Sequence, residues 1–324
     1  MSEQRSRVVV VVDLGFGDSG KGTIVDYLVR ARGAGMVVRW NGGAQAGHAV
    51  VTDDGREHVF SQLGAGTFVP GVRTHLAEAF VVHPTALLVE ARHLAGKGVG
   101  HALESLTIAS SARVITPLHQ AANRLRELAR GSRRHGSCGV GFGETVRDSL
   151  EAEAEVVRAR DLVGDRSALG RKLEAARDRL TSSLADAVAA VRTDAAAKSD
   201  LAVLSDRSVD ARWIEAIEPI RARRALVVED EALGPMLRER VTVLEGAQGV
   251  LLDERHGFHP HTTWSDCTTS GASALLARHG LAAGIERVGV MRVYLTRHGD
   301  GPFPSEAPGL SARLHEAHNE SRGW

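Results

Sequence analysis

Residues 15–23 read Gly-Phe-Gly-Asp-Ser-Gly-Lys-Gly-Thr and concentrate the side chains that handle phosphate. The glycines permit a tight turn and close backbone approach to a ligand. Lys21 adds a movable positive charge, and a helix beginning behind the turn would aim free N–H groups and its dipole at the same point. Asp18 is the unusual member. A carboxylate inside an anion cradle repels phosphate unless it binds Mg²⁺ or handles a proton, so the segment reads as catalytic as well as binding. It differs from the usual P-loop signature, in which Ser or Thr directly follows the lysine. Here Gly22 separates Lys21 from Thr23.

Further candidates are spread along the chain. Asn41-Gly42-Gly43-Ala44-Gln45-Ala46-Gly47-His48 follows an apolar run. A lone histidine is most often structural, but its pKa near neutrality makes His48 a candidate acid by position. Residues 136–143 form a second glycine-rich loop, preceded by Arg124, Arg126, Arg130, Arg133 and Arg134. Those arginines read first as a solvated helix face, with phosphate contact as the alternative. Glu245-Gly246-Ala247-Gln248-Gly249 closes another apolar run. The carboxyl end of a strand is where open parallel sheets bind ligands. His256, His259 and His261 surround Pro260, which breaks any helix, and no cysteine or carboxylate completes a zinc set. A loop carrying hydroxyl donors is the better reading there.

The elements that position these residues follow from the pattern. Five valines at 8–12 suit a strand buried on both faces, as in a parallel sheet. The segment from Thr23 onward has helical spacing. A second strand is expected over 36–40, a hairpin over 48–61 around Asp53-Asp54-Gly55, and a strand over 80–82. His83-Pro84 starts a helix. Thr116-Pro117 caps another that runs to Arg130 and stops at Gly131. Helical periods mark 165–197 and 208–224, and strands are expected over 241–244 and 287–296. Beyond Gly299 no element is clear. The fold class expected is α/β: a P-loop-like, mostly parallel central sheet with a helical insertion in the middle third. The divisions fall at 1–112, 113–240 and 241–324.

Composition limits the function classes. The 324 residues include 43% hydrophobic ones, enough for a large core. Lys plus Arg number 40 and Asp plus Glu number 40, which argues against coating nucleic acid. The two cysteines, Cys138 and Cys267, offer neither zinc-ligand spacing nor a disulfide framework, so a cytoplasmic setting fits. The N-terminal apolar run is too short for a signal peptide or a membrane span.

Taken in order, several blocks resemble the adenylosuccinate synthetase family. They are Gly17-Asp18-Ser19-Gly20-Lys21-Gly22, Arg39-Trp40-Asn41-Gly42-Gly43 with Ala46-Gly47-His48, the loop 136–143, and Glu245-Gly246-Ala247-Gln248-Gly249 with Leu251-Leu252-Asp253. His256-Gly257, Pro260, Thr263, Thr296-Arg297 and Gly301-Pro302-Phe303-Pro304 complete the set. The resemblance implies a ligase that joins IMP and aspartate, driven by GTP hydrolysis with Mg²⁺, and a homodimer. It implies that Asp18 takes the N1 proton and ligates Mg²⁺ together with the Gly47 carbonyl. His48 and Gln248 complete the catalytic set. By the same resemblance, Gly17, Ser19, Gly20, Lys21, Gly22 and Thr23 are expected to hold nucleotide phosphates, and Gln45, Ala46, Cys138, Gln248 and Thr263 to contact the purine nucleotide.

The chain departs from the family pattern at Ser19, Gln45, Cys138 and Val140, where glutamate, asparagine, threonine and arginine are usual. The family also continues with an arginine-rich loop for aspartate and a guanine-reading segment, neither of which precedes Trp324. Two alternatives follow: another purine nucleotide such as dGMP, or ATP in place of GTP; and nucleotide binding without ligation.

Overall fold

The computed structural model describes residues 7–311 and residue 313. Residues 1–6 and 318–324, which entered the reading of the two ends, lie outside that set. The strands in chain order are β1 (Val8–Asp13), β2 (Met36–Arg39), β3 (His48–Val51), β4 (Glu57–Phe60), β5 (Arg73–Leu76), β6 (Val81–Val82), β7 (Leu106–Ala109), β8 (Arg113–Val114), β9 (Val227–Val228), β10 (Thr242–Glu245) and β11 (Ile285–Val290). The first four α-helices are α1 (Lys21–Arg32), α2 (Pro84–Ala95), α3 (Pro117–Arg130) and α4 (Phe142–Glu151).

Seven strands form one sheet in the order β11-β1-β10-β2-β5-β7-β9, and every neighbouring pair is parallel. The valine run explains its centre. Val9 and Val11 face a core shared with Val25 and Val29 of α1, while Val8, Val10 and Val12 face one shared with Leu237 and Leu276. Successive side chains of a strand point to opposite faces, so a continuous apolar run is what a doubly covered strand requires. β10 inserts between β1 and β2, with Leu244 level with Val10 and Val38. The carboxyl ends of β1, β2 and β10 therefore open side by side.

The hairpin expected over 48–61 is β3 paired with β4. Thr116 caps α3 reciprocally with His119. From Pro117 to Glu239 the regular elements are helices apart from β9, and α3 supplies Leu118, Ala121, Ala122 and Leu125 to a core of its own with Ala176, Leu180 and Leu204. The period read over 165–197 divides into Arg166–Ser183, Ala185–Val191 and a short turn at Ala195–Ala197. That over 208–224 divides at Ile217, ahead of Pro219, into Ser208–Ala216 and Glu218–Arg221. The strand expected over 287–296 is instead Ile285–Val290. Its partner β1 ends at Asp13, opposite Val290, so residues 291–296 have nothing to pair with. Helix α4 and the helix Thr269–Arg278 were not anticipated; glycines at 141, 143 and 271 hid their starts.

Asp148 of α4 ties the helical zone together. It pairs with His119 Nε2 at 3.3 Å and with Arg179 Nε at 2.8 Å. Burial raises its pKa, but His119 and Arg179 lower it by more, to about 2. A folded value below the ordinary one stabilises the fold above the ordinary pKa and loses that contribution as pH falls through the folded one. Acid unfolding should therefore draw on this group between about pH 4 and pH 2. Asp148→Asn is expected to cost roughly 1–3 kcal/mol at pH 7 by leaving Arg179 with Glu155 as its one carboxylate and His119 without its own, and to flatten the acid limb of a urea-unfolding series against pH.

Candidate active site

The loop between β1 and α1 is organised by a carboxylate that the sequence reading passed over. Asp13, 1% exposed at the end of β1, accepts from the amides of Gly15 (2.9 Å) and Gly17 (3.3 Å) through Oδ1. Its Oδ2 accepts from the amide of Ser19 (3.1 Å) and from Lys21 Nζ (3.0 Å). Lys21 also donates to the carbonyl of Gln248 at 2.7 Å and is itself buried. It is thus an internal tether between two loops, where the sequence suggested a movable charge. Gly17 and Gly20 take φ values of +92° and +86°, and Asp18, a residue with a side chain, takes +57°. Strain of this kind persists where surrounding contacts over-determine the backbone, and it clusters at functional sites.

Gly20 stands at the N-cap of α1 without a side chain to bond the first amides, and no acidic residue lies in the first turn. The helix start, Lys21-Gly22-Thr23, therefore has no side-chain cap on its first amides, an arrangement that favours an anion. Gly22 has a further reason to be glycine: a Cβ there would lie 2.7 Å from the Ala49 carbonyl oxygen of β3. Thr23 Oγ1 donates to that same oxygen at 3.3 Å, so its hydroxyl faces the hairpin.

Close backbone contact joins this loop to the one after β10. A Cβ on Gly249 would sit 2.2 Å from the Gly15 carbonyl oxygen. Gln248, with φ of +56°, has a buried Nε2 without a hydrogen-bond partner among the described residues. Its Oε1 lies 3.9 Å from Cys267 Sγ. Asn41 bonds the same loop, donating to the Asp266 carbonyl and accepting from the Ala247 amide at 2.8 Å each. Asp253 collects the amides of Arg255, His256 and Cys267 and so shapes the segment that carries Thr263. Gln45, Ala46 and Gly47 lie on the β2–β3 loop; Gln45 Oε1 is buried without a partner among the described residues, and Gly47 is exposed.

His48 begins β3 and is 5% exposed. Its Nδ1 contacts Glu245 Oε1 at the end of β10, and the other carboxylate oxygen accepts from the Ala65 amide at 2.9 Å. Burial pushes the imidazole down to about 4 against the opposing pull of Glu245. Burial also raises Glu245, but Arg39 and His48 hold it below its ordinary value. The pair is thus a neutral imidazole fixed by a carboxylate through Nδ1, leaving Nε2 as the ring atom without a hydrogen-bond partner among the described residues.

Asp18 is exposed at the loop tip. His298 Nε2 lies 2.8 Å from its Oδ2, and Arg292 Nη1 donates to its carbonyl at 3.3 Å. Burial raises the Asp18 pKa, while His298, Lys21 and Arg292 lower it by more, so it is a carboxylate. Neither His298 nor Arg292 was singled out from the sequence. Phe16, two residues before Asp18 in the chain, packs on Phe258 (6.0 Å), on Phe303 (5.5 Å) and under the Arg297 guanidinium (4.8 Å). The 136–143 loop approaches from the other side: a Cβ on Gly136 would come within 2.9 Å of Gly299. Cys138 on that loop is exposed. Arg124, Arg126 and Arg130 pair with Asp200, Glu144 and Glu127 and are not free for phosphate.

No group of three or more His, Cys, Asp or Glu among the described residues is placed to hold a metal. Magnesium usually takes one or two carboxylates together with substrate phosphates, and an exposed carboxylate beside an anion cradle suits that.

A parallel α/β sheet whose central strands end in a glycine-rich loop ahead of an uncapped helix, with a carboxylate at the loop tip and a carboxylate-held histidine beside it, has the form of a nucleotide-binding enzyme core. The sequence profile of adenylosuccinate synthetase matches residues 10–322. The Neisseria gonorrhoeae adenylosuccinate synthetase is 32% identical over 95% of this chain and 68% of its own length. That of Thermosynechococcus vestitus is 34% identical over 92% of this chain and 62% of its own. The chain belongs to the adenylosuccinate synthetase family, ligases that form a C–N bond, and spans about two thirds of the length of these relatives. The fold is shared with the fully ligated Plasmodium falciparum enzyme, at a TM-score of 0.74, 22% identity and coverage of 95% of this chain and 66% of that one. A cyanophage succinoaminodeoxyadenylate synthetase bound to dGMP and dATP matches at a TM-score of 0.60 and 20% identity, covering 93% and 71%. No described helix is long and apolar enough to cross a membrane.

Gly249→Ala is expected to force the two loops apart, because the atoms it meets are backbone. A loss of roughly 1–3 kcal/mol in thermal unfolding, together with weakened nucleotide binding by calorimetry, is the expected result.

Proposed function

We propose that this protein joins IMP and L-aspartate with hydrolysis of GTP, through a 6-phosphoryl-IMP intermediate. The observation that carries this reading is Asp18: an exposed carboxylate, strained into the left-handed region, standing inside a phosphate cradle. The lactam O6 of the purine is a poor nucleophile until N1 loses its proton. Asp18 takes that proton, O6 forms a bond to the γ-phosphorus, and the bond to the leaving diphosphate breaks. The aspartate amine then adds at C6 and phosphate departs.

Phosphoryl transfer needs charge stabilisation around the equatorial oxygens. The amides at the start of α1 supply donors, and Lys21 holds the loop that presents them. His48 presents Nε2 with Nδ1 held by Glu245; the negative charge of the bound nucleotide favours the protonated imidazole, which then donates from Nε2 to the transferring group. Gln248, Gln45, Ala46, Cys138 and Thr263 are the proposed contacts of the purine nucleotide; the unpartnered amide atoms of Gln248 and Gln45 fit that use. Asp18 and the Gly47 carbonyl would hold Mg²⁺, which supplies positive charge to the nucleotide phosphates when bound.

Asp18→Asn is expected to abolish ligation while nucleotide affinity stays within about tenfold, since the base is lost and the loop amides remain. Adenylosuccinate formation and calorimetric titration read the two effects, and unchanged turnover would refute the role. His48→Ala should slow phosphoryl transfer by roughly 10²-fold in single-turnover measurements. Assays with dGMP for IMP and ATP for GTP decide the substrates: faster phosphate release with either replacement would overturn the assignment of IMP or GTP.

A further inference from the structure

The segment that follows β11 reaches back over the phosphate loop and grips Asp18 twice. Arg292 holds its carbonyl at 3.3 Å, and the same guanidinium lies 4.5 Å from the centre of the Tyr294 ring and donates to Tyr294 Oη at 2.8 Å. His298, six positions further along, stands 2.8 Å from Asp18 Oδ2. Main chain and carboxylate are thus held by one segment through separate groups. A carboxylate has two oxygens, and the function proposed above asks two things of them: a cation and the N1 proton. With His298 on Oδ2, one oxygen is already engaged.

We propose that His298 competes with the metal ion for the Asp18 carboxylate, so that metal–nucleotide binding separates Asp18 from His298 while Arg292 keeps the Asp18 main chain in place. The inference rests on the reading of Asp18 as a metal ligand. His298 then acts as a placeholder: it holds the carboxylate in an oriented, paired state without nucleotide, and it raises the metal concentration needed to load the site. The contact is partly open to water, with side-chain exposures of 28% for His298 and 42% for Asp18. An exposed pair contributes little, so the effect is a few-fold one.

The test uses Mn²⁺ as the probe, with IMP and a non-hydrolysable GTP analogue, and reads free Mn²⁺ by electron paramagnetic resonance; no turnover enters the measurement. His298→Leu and His298→Phe, which both remove the donor, should lower the half-saturating Mn²⁺ by about fivefold. His298→Gln, whose amide still donates, should stay within about twofold of the parent. An unchanged or raised value in both donor-free variants, with circular dichroism intact, overturns the inference. Asp18→Asn separates the two claims. If it weakens Mn²⁺ binding while the donor-free variants do not tighten it, only the role of His298 falls. If it leaves Mn²⁺ binding unaltered, Asp18 is not a ligand, and both the metal assignment and the competition are wrong.

Discussion

A single buried carboxylate sets the geometry on which this site depends. Asp13 is almost wholly out of water and would be costly there unpaired. It is satisfied by three loop amides and one ammonium group, all within nine residues of chain. Those bonds fix the path of the loop that carries Asp18 and delivers α1 with its first amides open. The same interaction immobilises Lys21, so its charge is spent locally and its second bond goes to the Gln248 carbonyl. In the function proposed here, phosphate would consequently be held by oriented dipoles more than by a mobile cation.

From that point the site is assembled by reciprocal locking of three strand ends. β10 contributes Glu245, which fixes His48, and the following loop, which packs against Gly15 and Gly17 with no room for a side chain. β2 contributes Asn41, which bonds the β10 loop in both directions. Each loop supports another, so the candidate catalytic groups sit on backbone that is held from several sides.

Much of this was legible in the sequence, and the misses have a common cause. Residues 8–12 declared a doubly covered strand because side-chain periodicity is local information. The glycine loop, the hairpin and the capped start of α3 are local too. Arg292 and His298 were overlooked, and Glu245 was read only as part of a strand-end motif, because their partners lie elsewhere: His48 and Glu245 are 197 positions apart. Asp13 looked like the polar end of a strand, and its part is visible only once the chain turns back on it. The overlong strand at 287–296 failed for a related reason, since a strand extends only as far as its neighbour does. The purine contacts at Gln45, Ala46, Cys138 and Thr263 came from family resemblance, and nothing in their spacing alone brings them together.

The insertion of β10 between β1 and β2 has a consequence for how the protein is made. The first two strands of the sheet are not neighbours, and the gap between them is filled by residues synthesised some 200 positions later. At about 5–20 residues per second, a ribosome needs on the order of 10–40 s to supply them. Throughout that interval Lys21 lacks its Gln248 carbonyl, His48 lacks Glu245, and two strand edges stand open to unwanted pairing. The site is therefore a late product of biosynthesis, complete only when the whole helical stretch has been made and β10 has entered its slot. A lesion anywhere in that stretch that slows its folding prolongs the exposure of the nascent sheet, however far it lies from the chemistry.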